Sequence, residues 1–203
     1  MACAVVVAAR RLVVRDTCTV TSRATLIVYA CPVGALARSL ARYFRVAAER
    51  FGPNEAHAYM PHVTVTGFFH DTDPDLGDYS AALDQAMRQA GTTCSVAVGD
   101  LLLNDDFHGL TIESPWLQAV GSEFAARAPA ATRTDAVRPK DWLHLSLAYG
   151  FAPAAADGLA QLVREIVDPW SPCTWELRLY ERHGGNRWVA HQSWPIRPAR
   201  LSR

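Results

Sequence analysis

Two short segments of this chain share an alternating pattern that restricts the fold around them. One reads PHVTVT from Pro61 and the other reads LHLSLA from Leu143, so each carries a histidine and a hydroxyl residue two positions apart in an apolar run. Side chains alternate between the two faces of an extended strand. Each segment is therefore predicted to be a strand with an imidazole and a hydroxyl on one face. The four polar residues are His62, Thr64, His144 and Ser146.

The surrounding sequence predicts a duplicated order of elements. Strands are expected over residues 24–31, 62–69, 94–103, 107–113, 142–150, 174–181 and 187–194. Helices are expected over 33–51, before Gly91, after a cap at Ser114 and around 159–166, with a surface loop over 129–139. The order strand, helix, histidine strand, helix, strand then occurs twice. Leu26 precedes His62 by 36 residues and Leu110 precedes His144 by 34, and a twofold relation between these units would bring both polar faces into one groove.

Length and charge limit the organisation and the partners. A chain of 203 residues, half of it apolar, can bury a substantial core, and we expect one two-lobed α+β domain over residues 23–196. Residues 1–22 are expected to be an extra strand or a disordered extension, and 197–203 a tail. The formal net charge is zero, which does not favour long duplex nucleic acid or an anionic membrane, and no stretch is long enough to span a bilayer. A small phosphorylated ligand is compatible with a net charge of zero.

The cysteines indicate a reducing compartment. They are odd in number and widely scattered, without a CxxC pair or a zinc-finger spacing. Reduced, mostly buried thiols in a cytosolic protein are the better interpretation. The apolar start is followed by Arg10 and Arg11, the wrong order for a secretory signal, so the predicted localisation is cytoplasmic.

Two imidazole–hydroxyl pairs that face each other could hold a phosphate and supply a general base and a general acid without a metal or other cofactor. A lone histidine of this kind is usually structural, and His70 and His191 also precede a hydroxyl residue by two. Neither has an apolar residue between nor a matching place in the duplicated unit. His70-Asp71 also lacks the further histidines and aspartates of a metal-dependent HD-type hydrolase. We interpret the remaining histidines as surface residues: His57, His108 and His183.

Aromatic and cationic residues near the motifs are candidates for substrate binding, although core packing explains at least half of such aromatics. Tyr59 and Phe69 are close to the first motif in the sequence. Tyr149 has the wrong parity to share a face with Ser146, so only a bulge near Ala148 would bring it there. The last two candidates share parity on a later strand and could line the groove; they are Arg178 and Tyr180.

With these residues, the chain resembles the 2H phosphoesterase superfamily, which includes LigT-like RNA phosphodiesterases. The similarity is closer to the phosphoesterase domain of the TULA (T-cell ubiquitin ligand) proteins. It rests on residues 61–69 (PHVTVTGFF), 143–149 (LHLSLAY) and 175–182 (WELRLYER), and covers roughly 24–194. The resemblance implies a duplicated two-lobed LigT-like fold, with mainly antiparallel sheets around a central groove and helices outside. Roles that depend on the ubiquitin-binding, SH3 and histidine-phosphatase modules of TULA proteins are not carried over.

The resemblance also implies phosphodiester chemistry at a ribose 2′ position, with His62, Thr64, His144 and Ser146 as the catalytic residues. Our first expectation is a metal-independent phosphodiesterase for 2′-5′ linkages in a small immune or signalling nucleotide, such as 2′,3′-cGAMP or 2′-5′ oligoadenylate. A second is a 2′,3′-cyclic phosphodiesterase for RNA ends or mononucleotides. A third, from another class, is a nucleotide-binding sponge without turnover. The pseudo-symmetry leaves open which histidine is the acid.

Overall fold

A computed structural model describes residues 23–197; the predicted N-terminal extension and nearly all of the tail lie outside these residues. The strands are β1 (Ala24–Gly34), β2 (Val63–Thr64), β3 (Phe69–Asp71), β4 (Ala97–Leu103), β5 (Phe107–Glu113), β6 (His144–Tyr149), β7 (Cys173–His183) and β8 (Arg187–Ile196). The helices are α1 (Ala35–Phe51), α2 (Leu76–Gln89), α3 (Pro115–Arg127) and α4 (Ala156–Ile166). The α+β class is therefore confirmed.

The strands form one antiparallel sheet of eight strands rather than separate sheets for two lobes. Its order is β4-β5-β6-β2-β1-β7-β8, and β3 pairs with β1 beyond β2. The two halves of the sheet, β4-β5-β6 and β2-β1-β7-β8, join at the centre, where Val63 of β2 pairs with Leu145 of β6. The expectation of several sheets around a groove is thus corrected, because the two histidine strands pair directly.

The four helices cover one face of the sheet and leave the other face open. Alternate residues of β1, such as Leu26 and Val28, pack with the helices in the main core. The residues between them, including Ile27 and Tyr29, pack in a smaller cluster on the opposite face. α1 packs against α4 and α2 against α3. The helix-free face is therefore where a ligand can reach the centre of the sheet.

Local signals explain where several elements begin. Pro115 is the first residue of α3, and the Ser114 hydroxyl accepts a 3.1 Å hydrogen bond from the Leu117 amide, as the cap predicted. Pro32 does not end β1, which continues to Gly34. β2 pairs with β1 only at Tyr29 and Ala30, so Pro32 lies where that side of β1 has no partner and a missing amide proton is tolerated.

The predicted histidine strand 62–69 is broken into β2 and β3. The amides of Val65 and Thr66 both donate to the carbonyl of Val28, at 3.0 and 3.3 Å. The buried Thr66 hydroxyl accepts from the Val28 amide at 3.2 Å. Since one β1 residue serves two consecutive residues here, the ladder is interrupted. The register moves by two residues, from Tyr29 opposite Thr64 to Leu26 opposite Phe69, so the alternation of faces is kept.

Three cysteines lie in the described residues and all are free thiols: Cys31 is buried, while Cys94 and Cys173 are half-buried. The other two precede residue 23. No helix within residues 23–197 has the length and apolar character needed to cross a bilayer.

Candidate active site

The pairing of β2 with β6 brings the two histidine motifs together. Val63 lies opposite Leu145 in an antiparallel ladder. The same register sets His62 opposite Ser146 and Thr64 opposite His144, with Cβ atoms of such pairs about 5 Å apart. The aliphatic residues between them are buried in the main core. All four polar side chains therefore emerge on the helix-free face, in a compact square.

A β-bulge in β6 adds Tyr149 to this face. Ser146 pairs with Gly109 and Ala148 pairs with His108, so β6 advances two residues while β5 advances one. The extra residue, Leu147, is fully buried, as is Ala148. The extra residue reverses the alternation of faces in β6, so Tyr149 lies on the same face as His144 and Ser146, as a bulge near Ala148 was expected to allow. Burial raises the pKa of Tyr149 to about 12, followed by smaller effects of Tyr59 and Glu55, so its hydroxyl remains a donor at neutral pH.

The square opens into a cavity of about 520 Å³, within the range of small-molecule sites. His62, Thr64, His144 and Ser146 all line it, together with two of the predicted binding residues, Tyr59 and Tyr149. Further lining comes from residues that the sequence did not single out: Tyr29, Phe107, Arg138, Lys140 and Trp142. The cavity therefore combines two imidazoles, two hydroxyls, two cations and several aromatic rings.

One ring nitrogen of His62 is fixed by the backbone. Its Nδ1 lies 2.7 Å from the carbonyl oxygen of Met60, so Nδ1 donates and Nε2 keeps a lone pair. The ring packs against Tyr29, with centroids 3.8 Å apart. Burial lowers the pKa of His62 to about 4, the Met60 carbonyl opposes this shift, and the nearby His144 adds to it. His62 is therefore neutral at pH 7, as a general base must be.

His144 lies nearer to solvent. It stacks on Trp142, with centroids 3.9 Å apart, and Trp142 is itself 55% exposed. Phe107 meets the His144 ring edge-on, with centroids 5.6 Å apart, and lies 6.0 Å from the Trp142 ring. Burial lowers the pKa of His144, the Trp142 carbonyl opposes this shift, and Lys140 adds to it. Its Nδ1 is buried and has no hydrogen bond of normal geometry to a described residue.

The cavity's two cations come from the loop before β6. The amide of Gly67 donates to the carbonyl of Arg138 at 2.7 Å, and the amide of Lys140 donates to the carbonyl of Val65 at 3.0 Å. These bonds fasten the loop to the chain after β2. Neither Arg138 nor Lys140 forms an ion pair with any residue from 23 to 197. Both charges are therefore available to an anion in the cavity.

Three predicted binding residues do not reach the cavity. Phe69 is fully buried on the helix side, 5.4 Å from Tyr79 and 6.0 Å from Phe124 between ring centroids. Phe69 has the parity of Val63 and Val65, which also face the core, whereas Phe68 has the parity of His62 and Thr64 and lines the cavity. Arg178 and Tyr180 do lie on the helix-free face, but behind Tyr29. Arg178 binds Glu176 at 2.7 Å and the Tyr180 hydroxyl at 3.0 Å, so this pair is corrected from lining residues to neighbours of the cavity wall.

The five other histidines lie away from the square of polar residues. His57 accepts from the Asn54 amide at 2.9 Å and donates to the Phe44 carbonyl at 2.9 Å, which fixes the short 3₁₀-helix Glu55–Ala58 before Tyr59. His108 is 1% exposed, so its interpretation as a surface residue was wrong. The others bind or approach carboxylates: His70, His183 and His191. Within residues 23–197, no group of three or more histidine, cysteine, aspartate or glutamate residues could hold a metal ion.

Comparison with known proteins gives relatives but no matching family model. The ecdysteroid-phosphate phosphatase of Bombyx mori is 27% identical over 175 residues, which covers 84% of this chain and 26% of the relative. The Drosophila melanogaster protein of that name is 29% identical, over 77% of this chain and 26% of its own. Ubiquitin-associated and SH3 domain-containing protein B of Mus musculus is 27% identical, over 77% and 25%.

The chain thus spans about a quarter of the length of these relatives. They belong to the TULA group of 2H-phosphoesterase-like proteins. The similarity that the motifs indicated therefore extends over about three quarters of the chain.

Proposed function

We propose that this chain is a 2H-type phosphodiesterase that cleaves a phosphodiester at a ribose 2′ position in a small nucleotide. One observation carries the proposal: His62, Thr64, His144 and Ser146 line one cavity on paired strands. The relatives' names indicate activity on phosphate esters. The diester, its 2′ position and the nucleotide belong to the proposal.

The order of elements supports a duplicated 2H unit. β1-α1-β2-α2-β4 and β5-α3-β6-α4-β7 follow each other in the chain. Exchanging the corresponding strands of the two units, β1 with β5, β2 with β6 and β4 with β7, gives the same sheet order from β4 to β7 in reverse. The helix contacts agree, because α1 with α4 corresponds to α3 with α2. A twofold relation of this kind passes between β2 and β6, where the histidines lie.

The surroundings of the two imidazoles favour different roles. His62 is neutral and keeps its Nε2 lone pair, because Nδ1 donates to Met60. It removes the proton from the ribose 3′-hydroxyl next to a 2′-5′ linkage. The 3′ oxygen attacks phosphorus, and the bond to the 5′ oxygen breaks. Burial lowers the pKa of His144, and the negative charge of a bound phosphate raises it. His144, protonated in that complex, gives its proton to the leaving oxygen, so a 2′,3′-cyclic phosphate and a free 5′-hydroxyl result. Each proton transfer contributes about a hundredfold to ten-thousandfold.

The polar groups around the histidines fit the charge that develops on the phosphate. The hydroxyls of Thr64 and Ser146 donate to its non-bridging oxygens, which become more negative as phosphorus gains a fifth bond. Arg138 and Lys140 lie on the same cavity wall and add positive charge that no described carboxylate neutralises. The reaction then needs no metal ion.

Aromatic rings on both sides of the cavity provide surfaces for bases. Tyr59 lies on the His62 side, 5.6 Å from that ring between centroids. Trp142 lies on the His144 side with much of its indole in solvent. A cavity of about 520 Å³ that has an aromatic ring beside each histidine favours a dinucleotide over a bare phosphate ester.

The test is a panel of substrates incubated with the purified chain, followed by product analysis. It contains 2′,3′-cGAMP, its 3′,3′ isomer, a 2′-5′ diadenylate, 2′,3′-cyclic AMP and 4-nitrophenyl phosphate as a monoester. Cleavage of the 2′-5′ compounds, with an unchanged rate in EDTA, is expected. Cleavage of 2′,3′-cyclic AMP alone would replace the proposal with the cyclic phosphodiesterase. Turnover of the monoester alone, or binding without turnover, would contradict it.

A further inference from the structure

A second pocket lies on the same sheet face as the candidate active site. It has a volume of about 470 Å³, and Phe68 lines both cavities. Ile27 and Tyr29 of β1 line the first, whereas Thr25 of the same strand lines the second. At about 3.3 Å per strand residue, Thr25 is about 13 Å from Tyr29 along β1. One phosphate cannot touch both places, but a single nucleotide ligand can extend between them.

Three strands set polar side chains in a row across this pocket. Thr25 of β1 pairs with His70 of β3 on one side and with Arg182 of β7 on the other. Direct partners on one face have Cβ atoms about 5 Å apart. All three residues line the pocket, as do His183 and Asn186 of the following turn. The row offers a guanidinium, a hydroxyl and imidazole nitrogens within a span suited to one phosphate group.

Arg182 is held in place without a carboxylate partner. Its guanidinium lies 5.5 to 5.7 Å from the ring centroids of Tyr59, Phe68 and Trp188. It donates to the Asn186 side-chain oxygen at 2.6 Å. Within residues 23–197 it forms no ion pair. Its positive charge is thus positioned by neutral groups and stays available to an external anion.

The carboxylates that contact the histidines of this pocket do not pair with Arg182. Asp135 accepts from the Nδ1 and the amide of His70, at 2.8 and 2.6 Å, which leaves the Nε2 of His70 free. Glu181 lies 2.9 Å from the Nε2 of His191 and 3.5 Å from that of His183. Neither carboxylate neutralises Arg182. The pocket therefore combines one unpaired cation with fixed histidine and hydroxyl groups.

We propose that this second pocket is a subsite for a further phosphate group of the substrate, beyond the phosphodiester that reacts. The inference rests on the proposed function and narrows its substrate class to small nucleotides that carry an additional phosphate, such as a terminal one. The nucleoside between the two phosphates would lie across Phe68, the residue that both pockets share. Arg182 then selects among substrates without contacting the reacting phosphorus.

The test compares a 2′-5′ diadenylate with the same compound bearing a 5′-terminal phosphate. Both are titrated calorimetrically into the His144→Ala variant, so that binding is measured without turnover. The phosphorylated compound is expected to bind about tenfold more tightly, from a charge-assisted hydrogen bond. Arg182→Gln, added to that variant, should remove the preference. Arg187→Gln makes the same charge change at an exposed position of the same hairpin, outside the pocket, and should keep it.

Equal affinities for the two compounds, or a preference that survives Arg182→Gln, would overturn the subsite. Melting by circular dichroism shows whether that variant folds, and His183→Gln serves as the second variant if it does not. Hydrolysis of the unphosphorylated diadenylate by the unaltered chain tests the proposed function separately. A preference in binding without hydrolysis would keep the phosphate subsite and reject the phosphodiesterase.

Discussion

His62 and His144 occupy matching positions on two paired strands, yet their rings meet different neighbours. Tyr29 covers His62, and the Met60 carbonyl takes its Nδ1 proton. The half-exposed Trp142 covers His144, whose Nδ1 has no hydrogen bond of normal geometry to a described residue, although the Trp142 carbonyl opposes the burial that lowers the pKa of His144. Both pKa values are lowered by burial, but only His62 has its tautomer fixed by a hydrogen bond. Similar motifs can thus be given separate chemical roles by what packs against them.

The largest effect is expected from removing either imidazole. His62→Ala and His144→Ala should each lower kcat on the preferred nucleotide by about a hundredfold to ten-thousandfold, because each removes one proton transfer. Steady-state kinetics measure the loss. His191→Ala is the matched control, since His191 also precedes a hydroxyl residue by two but binds Glu181 outside the cavity. Near-normal turnover by either active-site variant would show that the two motifs do not act together.

The next test is the pH dependence of the free energy of unfolding, which measures whether His62 is neutral in the folded chain. Unfolded His62 gains a proton near its ordinary pKa of 6.5, whereas the folded residue resists protonation until about pH 4. The free energy of unfolding should therefore fall as pH drops from about 6.5 to 4, by an amount on the order of 3 kcal/mol. Denaturant unfolding of the unaltered chain and of His62→Gln measures this fall. A parallel pH dependence in both proteins would mean that burial does not keep His62 neutral.

A substrate with a better leaving group distinguishes base from acid. An acid is less needed when the departing oxygen is a stable anion, as in a nucleoside 2′-(4-nitrophenyl phosphate). On this ester the deficit of His144→Ala should shrink by at least about tenfold relative to the diadenylate, while that of His62→Ala remains. The comparison of kcat in the two variants is the measurement. If the deficit of His62→Ala shrinks instead, the two roles are reversed.

The smallest effect concerns the rings beside the histidines. Trp142→Ala should raise KM for a dinucleotide by at least about fivefold, since stacking of one base contributes about 1–3 kcal/mol. Trp170→Ala is a suitable control, because Trp170 is 70% exposed and does not line either pocket. An unchanged KM in Trp142→Ala would assign this tryptophan to supporting His144 alone.

The sequence predicted the features that depend on local periodicity. Alternation placed the histidine and hydroxyl of each motif on one face, and the Ser114–Pro115 signal located the start of α3. The helix-forming segments and the final hairpin follow the same principle. These features depend on residues near in sequence, whose side-chain spacing is set by the regular backbone.

Features that depend on long-range contacts were not predictable in this way. Tyr149 reached the cavity because β6 bulges against β5. The charge of Arg138 reaches the site from a loop without periodicity, whose backbone pairs with a segment about 70 residues earlier. None of these contacts leaves a pattern in the local sequence.

The junction between β2 and β6 has a mechanical consequence. The two imidazoles belong to opposite halves of the sheet. The ladder between β2 and β6 contains one residue pair, Val63 with Leu145, and the backbone bonds of Gly67 with Arg138 and of Lys140 with Val65 continue the connection. Each half is held by its own longer ladders. A small opening at this seam would separate the catalytic groups while both halves stay folded, so turnover should report on the integrity of the seam before any spectroscopic measure of unfolding does.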